Sequence, residues 1–304
     1  MKVLIIGLGS IAKKHIGVLK EIEPDVQLFA FRSSRNGVKS EKVADLFTWE
    51  EVMRECFDFA IISNPTALHF EVVHRLKELS LPLFIEKPLF SEIGIPAKEL
   101  TEEIEKKNIP TYVACNLRFL ESLQETKRLI AGERINEVNV YCGSYLPDWR
   151  PDADFRTVYS ANKEMGGGVH IDLIHELDYI YWIFGQPEYT RALFSNKSSL
   201  EISANDYANY LWGYEGYNVS IILNYYRREP KRTLEIVCAS GTYVVDLLQN
   251  DIRYGDEVVF SSEQKMMDTY KAQMCFFIHR ILSDEVRFNP ISEAYNILEL
   301  CLKQ

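Results

Sequence analysis

Short β-branched runs alternate with amphipathic stretches through roughly the first 115 residues. Val3–Ile6 is wholly apolar and predicts a buried strand, while Ile11–Ile22 carries apolar residues at helical spacing. Gln27–Phe31 reads as a second strand. Phe59–Ser63 reads as a later buried strand, followed by a helix near Leu68–Leu79. Leu83–Ile85, a charged helix near Ala97–Lys107 and a strand at Thr111–Cys115 continue the series. Strand–helix alternation of this kind predicts a parallel sheet with helices on both faces.

The pattern changes near residue 118. Helices are predicted at Glu121–Ala131 and Val169–Ile183, and extended runs at Val138–Tyr145, Arg191–Ser195, Tyr207–Tyr214, Val219–Tyr226, Thr233–Ala239 and Tyr243–Leu247. Consecutive strands joined by short polar turns, with Gly216 and Gly241 as turn residues, favour an antiparallel sheet. Helices near Lys271–Leu282 and Glu293–Leu300 close the chain. The expected organisation is an α/β dinucleotide-type domain over 1–117 and an α+β domain over 118–304.

Composition narrows the function classes. The 304 residues suit two domains and can bury a core without disulfides or metal. Acidic residues exceed basic ones, giving a net charge of −10, which argues against a nucleic-acid partner. The basic groups Arg227-Arg228 and Lys231-Arg232 are short and read as a solvated face. Six scattered cysteines without a C-x-x-C pair suggest neither a zinc site nor a dithiol motif, and fit a reducing compartment. Lys2 before Val3–Ile6 faintly imitates a secretory signal, but Gly7, Gly9 and Lys13-Lys14 interrupt it. No apolar run approaches the ~18 residues of a membrane span, so the expected setting is cytoplasmic, with no membrane partner.

Gly7-Leu8-Gly9-Ser10-Ile11-Ala12 is a G-x-G-x-x-A sequence directly after a strand and opening a helix. Gly7 permits the tight turn, Gly9 lets backbone approach a pyrophosphate, and Ala12 allows close helix–sheet packing. The chain therefore has a dinucleotide turn at Gly7, Gly9, Ser10, Ile11 and Ala12. At the end of the second strand, where NAD sites usually carry an acid, it has Arg32-Ser33-Ser34-Arg35. Guanidinium and hydroxyl groups suit a 2′-phosphate. NADP is the expected cofactor and NAD the second choice.

Four segments together make the chain resemble the glucose-fructose oxidoreductase/inositol dehydrogenase/MocA family of NAD(P)-dependent oxidoreductases. They are the glycine turn with His15; Ser63-Asn64-Pro65-Thr66 with His69; Glu86-Lys87-Pro88 with Asn116-Leu117-Arg118-Phe119; and Gly166-Gly167-Gly168-Val169-His170-Ile171-Asp172 with His175 and Asp178. The resemblance implies a Rossmann domain joined to a domain with a large, mostly antiparallel, open-faced sheet. It also implies homodimers or homotetramers through that face, and sugar, inositol, sugar-acid or nucleotide-sugar substrates. The wording of the glycine turn and of Leu146–Tyr159 is similar to members serving bacterial surface-sugar synthesis. It adds Ser63, Asn64, Pro65, His69, Glu86, Lys87 and Asn116 to the cofactor set, and gives Lys87 a contact with the reacting hydroxyl.

Carbonyl reduction needs a proton donor or acceptor near the oxygen and a polarising group. Lys87 sits just beyond a buried strand, where ligands of open α/β sheets collect. Asp172, His175 and Asp178 fall at three-residue intervals on a predicted helix, hence on one face. The expected roles are His175 as acid/base, Asp172 as relay or substrate-binding group, and Lys87 as polariser. The family usually spaces the histidine four residues after the aspartate and here the interval is three, which keeps His170 and Glu176 as competitors. Arg118, Trp149, Arg150, Tyr159 and Asn162 are candidates for substrate binding, offering aromatic and guanidinium groups to a sugar with an anionic substituent. Asp206 is a further acid without a nameable partner. No metal is expected. Two other classes remain open: a glycoside hydrolase using bound NAD for transient oxidation and elimination, and a non-catalytic NADP-binding regulator.

Overall fold

The structure is a computed structural model and describes residues 1–35 and 42–303. The chain begins with β1 (Lys2–Ile6), α1 (Ser10–Ile22), β2 (Gln27–Phe31), β3 (Val43–Leu46) and α2 (Trp49–Arg54). It continues with β4 (Phe59–Ile62), α3 (His69–Leu76), β5 (Leu83–Glu86), α4 (Ile95–Lys106) and β6 (Thr111–Ala114). All neighbouring strands pair in parallel, in the order β3-β2-β1-β4-β5-β6. Every residue of β4, β5 and β6 is buried, as expected when helices cover both faces of a parallel sheet. The order reverses between β1 and β4, which opens a crevice at their carboxyl ends.

Sequence patterning missed β3 and α2. The helix nevertheless has a local signature: Thr48 accepts from the Glu51 N–H, and the Glu51 carboxylate accepts from the Thr48 N–H, a capping box.

The second unit follows with α5 (Glu121–Leu129), β7 (Ile135–Tyr145), α6 (Val169–Asp172) and α7 (Ile174–Phe184). Then come β8 (Tyr189–Ser195), β9 (Tyr207–Tyr214), β10 (Tyr217–Asn224), β11 (Tyr226–Cys238), β12 (Thr242–Asp246), β13 (Asp251–Tyr254) and β14 (Glu257–Ser261). They build one sheet in the order β14-β13-β12-β11-β7-β10-β9-β8. Among the described strands, only the β7–β10 pair in this sheet is parallel. Val138, Val140 and Cys142 of β7 are buried, as are Val219, Ile221 and Leu223 of β10 and Ala208, Tyr210 and Trp212 of β9. The intervening Asn139, Tyr141, Ser220 and Asn209 are half-buried on the opposite face. This period-two alternation gives the sheet one packed face and one open face.

Two expectations need correction. The helix predicted over Val169–Ile183 is two helices, because Leu173 (φ −100°, ψ 30°) turns the chain between α6 and α7. The domain reading that gave 118–304 to the second unit also fails at its end, because Met267–Leu298 return to the first. They carry α8 (Met266–Phe276), a π-helical continuation at Phe277–Ile281, and most of α9 (Ile291–Leu302). Phe277 of that segment packs edge-on against Phe59 and Phe84 of the parallel sheet, and Tyr112 donates to Gln273 at 3.0 Å. Burial of these aromatic faces, invisible to local patterning, decides the membership.

Candidate active site

In the first unit, the loops that follow β1, β4 and β5 carry the expected cofactor residues. Gly7 has φ +89°, and a Cβ there would stand 2.8 Å from Asn64 Cα, so only glycine suits both the turn and its neighbour. At Gly9 a Cβ would have nothing within 4 Å. The turn therefore presents bare backbone at the N-terminus of α1, whose first amides lack intrahelical acceptors. Ala12 is fully buried beneath it. These features fit the pyrophosphate of a dinucleotide.

Ser63 ties the β4 loop to the glycine turn, donating from Oγ to Ile6 O at 3.2 Å and Gly7 O at 3.3 Å. His69 joins the next two loops: Nδ1 is 3.1 Å from Leu89 O, and Nε2 is 3.0 Å from Asn64 O. Burial depresses its pKa. Glu86 places one carboxylate oxygen 2.5 Å from His15 Nε2, and its other oxygen accepts the Lys87 N–H at 3.2 Å. Lys87 follows β5, half-buried. Asn116 is buried, and its side-chain amide donates to Thr269 of α8 at 2.7 Å.

Arg32 stands at the end of β2, as expected, but Asp45 of β3 meets it. Arg32 Nη1 lies 3.1 and 3.3 Å from the two Asp45 oxygens. Sequence reading missed Asp45 because the β2–β3 register, with Ala30 opposite Asp45, brings the two together. Arg35 is exposed and its guanidinium lies 4.6 Å from the centre of the Phe47 ring. Ser33 and Ser34 are exposed.

In the second unit, Asp172 ends α6 half-exposed and accepts the Tyr225 hydroxyl at 2.5 Å. His175 is half-buried on the first turn of α7. Trp149 packs edge-on against Tyr225, with ring centres 5.3 Å apart, and its Nε1 donates to Ser144 at 2.9 Å. Tyr159 donates to Gly166 O at 2.9 Å, and burial followed by the Asp172 charge pushes its pKa up to about 12. Asn162 spends its amide on Arg156 O and Val158 O at 2.9 and 2.8 Å, so it shapes the loop. Arg150 is exposed.

Four expected players occupy other places. Arg118 and Asp178 are each 1% exposed and form a two-point ion pair at 2.9 and 2.7 Å. Asp178 thus does not share a face with Asp172, and Arg118 is an interior strut rather than a surface group for a substrate. Glu176 is fully buried and accepts from Arg232 Nε at 2.6 Å, fixing α7 to β11. A carboxylate so placed holds structure instead of moving protons. His170 is buried, stacked on Phe194, and desolvated so that its pKa falls to about 4 despite the nearby Asp172 charge. It is neutral at ordinary pH.

Profiles of one family match both units. The description "Oxidoreductase family, NAD-binding Rossmann fold" applies to residues 1–114, and "GFO/IDH/MocA C-terminal domain" to residues 123–244. The chain belongs to the GFO/IDH/MocA oxidoreductase family. A relative in this GFO/IDH/MocA group is scyllo-inositol 2-dehydrogenase (NAD(+)) of Bacillus subtilis (strain 168), 25% identical over 190 residues, or 60% of this chain and 53% of that protein. A second is 2,7-anhydro-N-acetylneuraminate hydratase of Mediterraneibacter gnavus, 24% identical over 188 residues, or 60% of this chain and 48% of that protein. The chain spans about half the length of the curated relatives it matches.

Solved structures share the fold throughout. Levoglucosan dehydrogenase in complex with NADH has a TM-score of 0.84 at 17% identity, covering 99% of this chain and 95% of that one. The WlbA dehydrogenase from Bordetella pertussis, in complex with NADH and UDP-GlcNAcA, has 0.80 at 17%, covering 99% and 93%. UDP-N-acetylglucosamine 3-dehydrogenase GnnA from Acidithiobacillus ferrooxidans has 0.79 at 20%, covering 100% and 96%. Among the described residues, no helix is long and apolar enough to cross a membrane.

Proposed function

We propose that this protein is a nicotinamide-dependent dehydrogenase or reductase acting on a carbinol or ketone carbon of a sugar, sugar acid or nucleotide sugar, in bacterial carbohydrate or surface-polysaccharide metabolism. The observation that carries this reading is the set of loops after β1, β4 and β5. They bring the bare glycine turn, Ser63 and Lys87 to the carboxyl ends of neighbouring parallel strands. The inositol and nucleotide-sugar names among the relatives support the substrate class.

The nicotinamide, when bound, supplies or takes up the hydride. The protein's own groups do the rest. Gly7, Gly9, Ser10, Ile11 and Ala12 receive the pyrophosphate, and Ser63, Asn64, Pro65, His69, Glu86 and Asn116 shape or line the cofactor's bed. Lys87 polarises the substrate oxygen, His175 handles its proton, and Asp172 orients or relays. Trp149 and Tyr159 face the sugar, while Arg150 offers a cation to an anionic substituent.

NADP is the first choice of cofactor, supported by the exposed Arg35 and the Ser33 and Ser34 hydroxyls. NAD is the second, because Asp45 already balances the Arg32 charge. Homo-oligomers form through the open sheet, where Tyr189, Leu193 and Leu211 are 49%, 63% and 43% exposed. Six unbridged cysteines support a cytoplasmic setting.

The Arg32–Asp45 pair also favours a second reading, because it weakens the 2′-phosphate argument that set aside a NAD-retaining hydrolase. The test titrates nucleotide-stripped protein with NADPH and NADH by nicotinamide fluorescence, then assays UDP-N-acetylglucosamine, myo-inositol and aryl glycosides. Sugar-dependent change in free nicotinamide absorbance supports the dehydrogenase. Glycoside cleavage without net cofactor consumption favours the hydrolase, and failure of both nucleotides to bind overturns both readings.

A further inference from the structure

Tyr225 occupies the single residue between β10 and β11, and its backbone is held from two sides. Its N–H donates to Asp206 O at 3.0 Å, and its carbonyl accepts the Leu146 N–H at 2.8 Å. Asp206 is itself tied down, accepting from both the N–H and the hydroxyl of Ser198. The Tyr225 side chain has no exposed surface, yet its hydroxyl reaches Asp172, a half-exposed carboxylate on a separate helix. A phenol held this firmly has one direction in which to donate. The ring also packs edge-on against Trp149, whose indole is 40% exposed while its N–H is committed to Ser144.

We infer that Tyr225 is a positioning residue for the proposed reaction: it fixes one oxygen of Asp172 and thereby sets the direction of the other, and it braces the Trp149 indole. The inference rests on the reading of Asp172 as part of the active site. Hydrogen bonds to a carboxylate oxygen favour its charged form. Burial, followed by the Asp172 charge, raises the Tyr225 pKa well above the ordinary phenol, so the hydroxyl stays a donor across the working range. Ser160 shares a hydrogen bond with the same hydroxyl. The titratable groups that feel the Asp172 charge include Tyr225 from the β10–β11 junction, Tyr159 from the loop before α6, and His170 on α6 itself. The two phenols stay protonated at neutral pH and His170 stays neutral. Removing the Tyr225 hydroxyl therefore changes the carboxylate without introducing a new charge.

The test uses full-length protein carrying ¹³C-carboxyl aspartate, with the Asp172 signal assigned by its absence in Asp172→Asn. In Tyr225→Phe, which keeps the ring against Trp149, that signal changes its chemical shift at neutral pH, because one carboxylate oxygen has lost its hydrogen-bond donor. Turnover is followed with NADH or NADPH on UDP-N-acetylglucosamine or myo-inositol, whichever the wild type uses. The variant loses kcat about tenfold or more, while KM and nucleotide Kd stay within about threefold. Trp149→Phe instead raises KM and leaves the Asp172 signal in place. An unmoved Asp172 signal, or an unchanged kcat, in folded Tyr225→Phe overturns the inference. Full activity in Asp172→Asn overturns the reading of Asp172 instead, whatever Tyr225→Phe does to the signal.

Discussion

Glu86 grips His15 and the backbone of Lys87 at once: one oxygen lies 2.5 Å from His15 Nε2, and the other accepts the Lys87 N–H at 3.2 Å. The lysine is thus set by a buried pair from α1 and β5 before any ligand arrives. His15→Ala leaves a nearly buried carboxylate without its imidazole, an uncompensated polar group whose exposure to a cavity costs about 2–4 kcal/mol. Urea unfolding reads that loss. His15→Gln, which restores a donor, recovers part of it.

The two turn glycines separate folding from binding. Gly7→Ala forces a Cβ to within 2.8 Å of Asn64 Cα at φ +89°, so both stability and dinucleotide affinity fall, stability by ~2 kcal/mol or more. A Cβ at Gly9 meets nothing within 4 Å, so Gly9→Ala keeps stability within about 0.5 kcal/mol. It nonetheless obstructs the backbone approach a pyrophosphate needs. Paired denaturation and NADH titrations distinguish these outcomes.

Under the proposed reading, Asp45 sets the cofactor preference through Arg32. Asp45→Asn removes the carboxylate 3.1 Å from the guanidinium and frees its charge for a 2′-phosphate. NADPH binding tightens about tenfold, a gain of ~1.4 kcal/mol, while NADH binding stays nearly constant. Equal changes for both nucleotides in fluorescence titrations reject this account.

The Arg118–Asp178 pair is interior structure. Asp178→Asn strands a buried guanidinium, with an expected loss of about 3–5 kcal/mol in chemical denaturation. Replacing both partners by apolar residues of similar size loses less than either single change. A stable Asp178→Asn with altered substrate KM would return Arg118 to the substrate set.

Buried histidines make the fold sensitive to acid. His170 has a pKa lowered by burial from 6.5 to about 4. The unfolded chain therefore binds more protons between those values. The stabilisation is complete above about pH 6.5, declines as pH falls, and is exhausted near pH 4, amounting to at most ~3 kcal/mol. His69 acts in the same direction. Unfolding free energies from pH 4 to 8 have a shallower acid slope in His170→Phe, which keeps a ring against Phe194.

Sequence alone determined the parallel sheet, the glycine turn, the placement of Lys87 after a buried strand and the strand-rich second unit. These follow from periodicity and backbone stereochemistry, which act over a few residues and leave their mark in composition. The continuous helix through Asp172, His175 and Asp178 was misread, since Leu173 turns the chain and only packing reveals it. Asp45 and Tyr225 carried no local signal, and Arg232, whose basic run reads as a solvated face, instead pairs with buried Glu176. Each matters because strand register or helix docking brings it against Arg32, Asp172 or Glu176. Tertiary structure alone decided which charges are neutralised and which carboxylate Tyr225 holds. Coulomb and hydrogen-bond energies depend on separation in space and on burial, and neither is written in the spacing of residues along the chain.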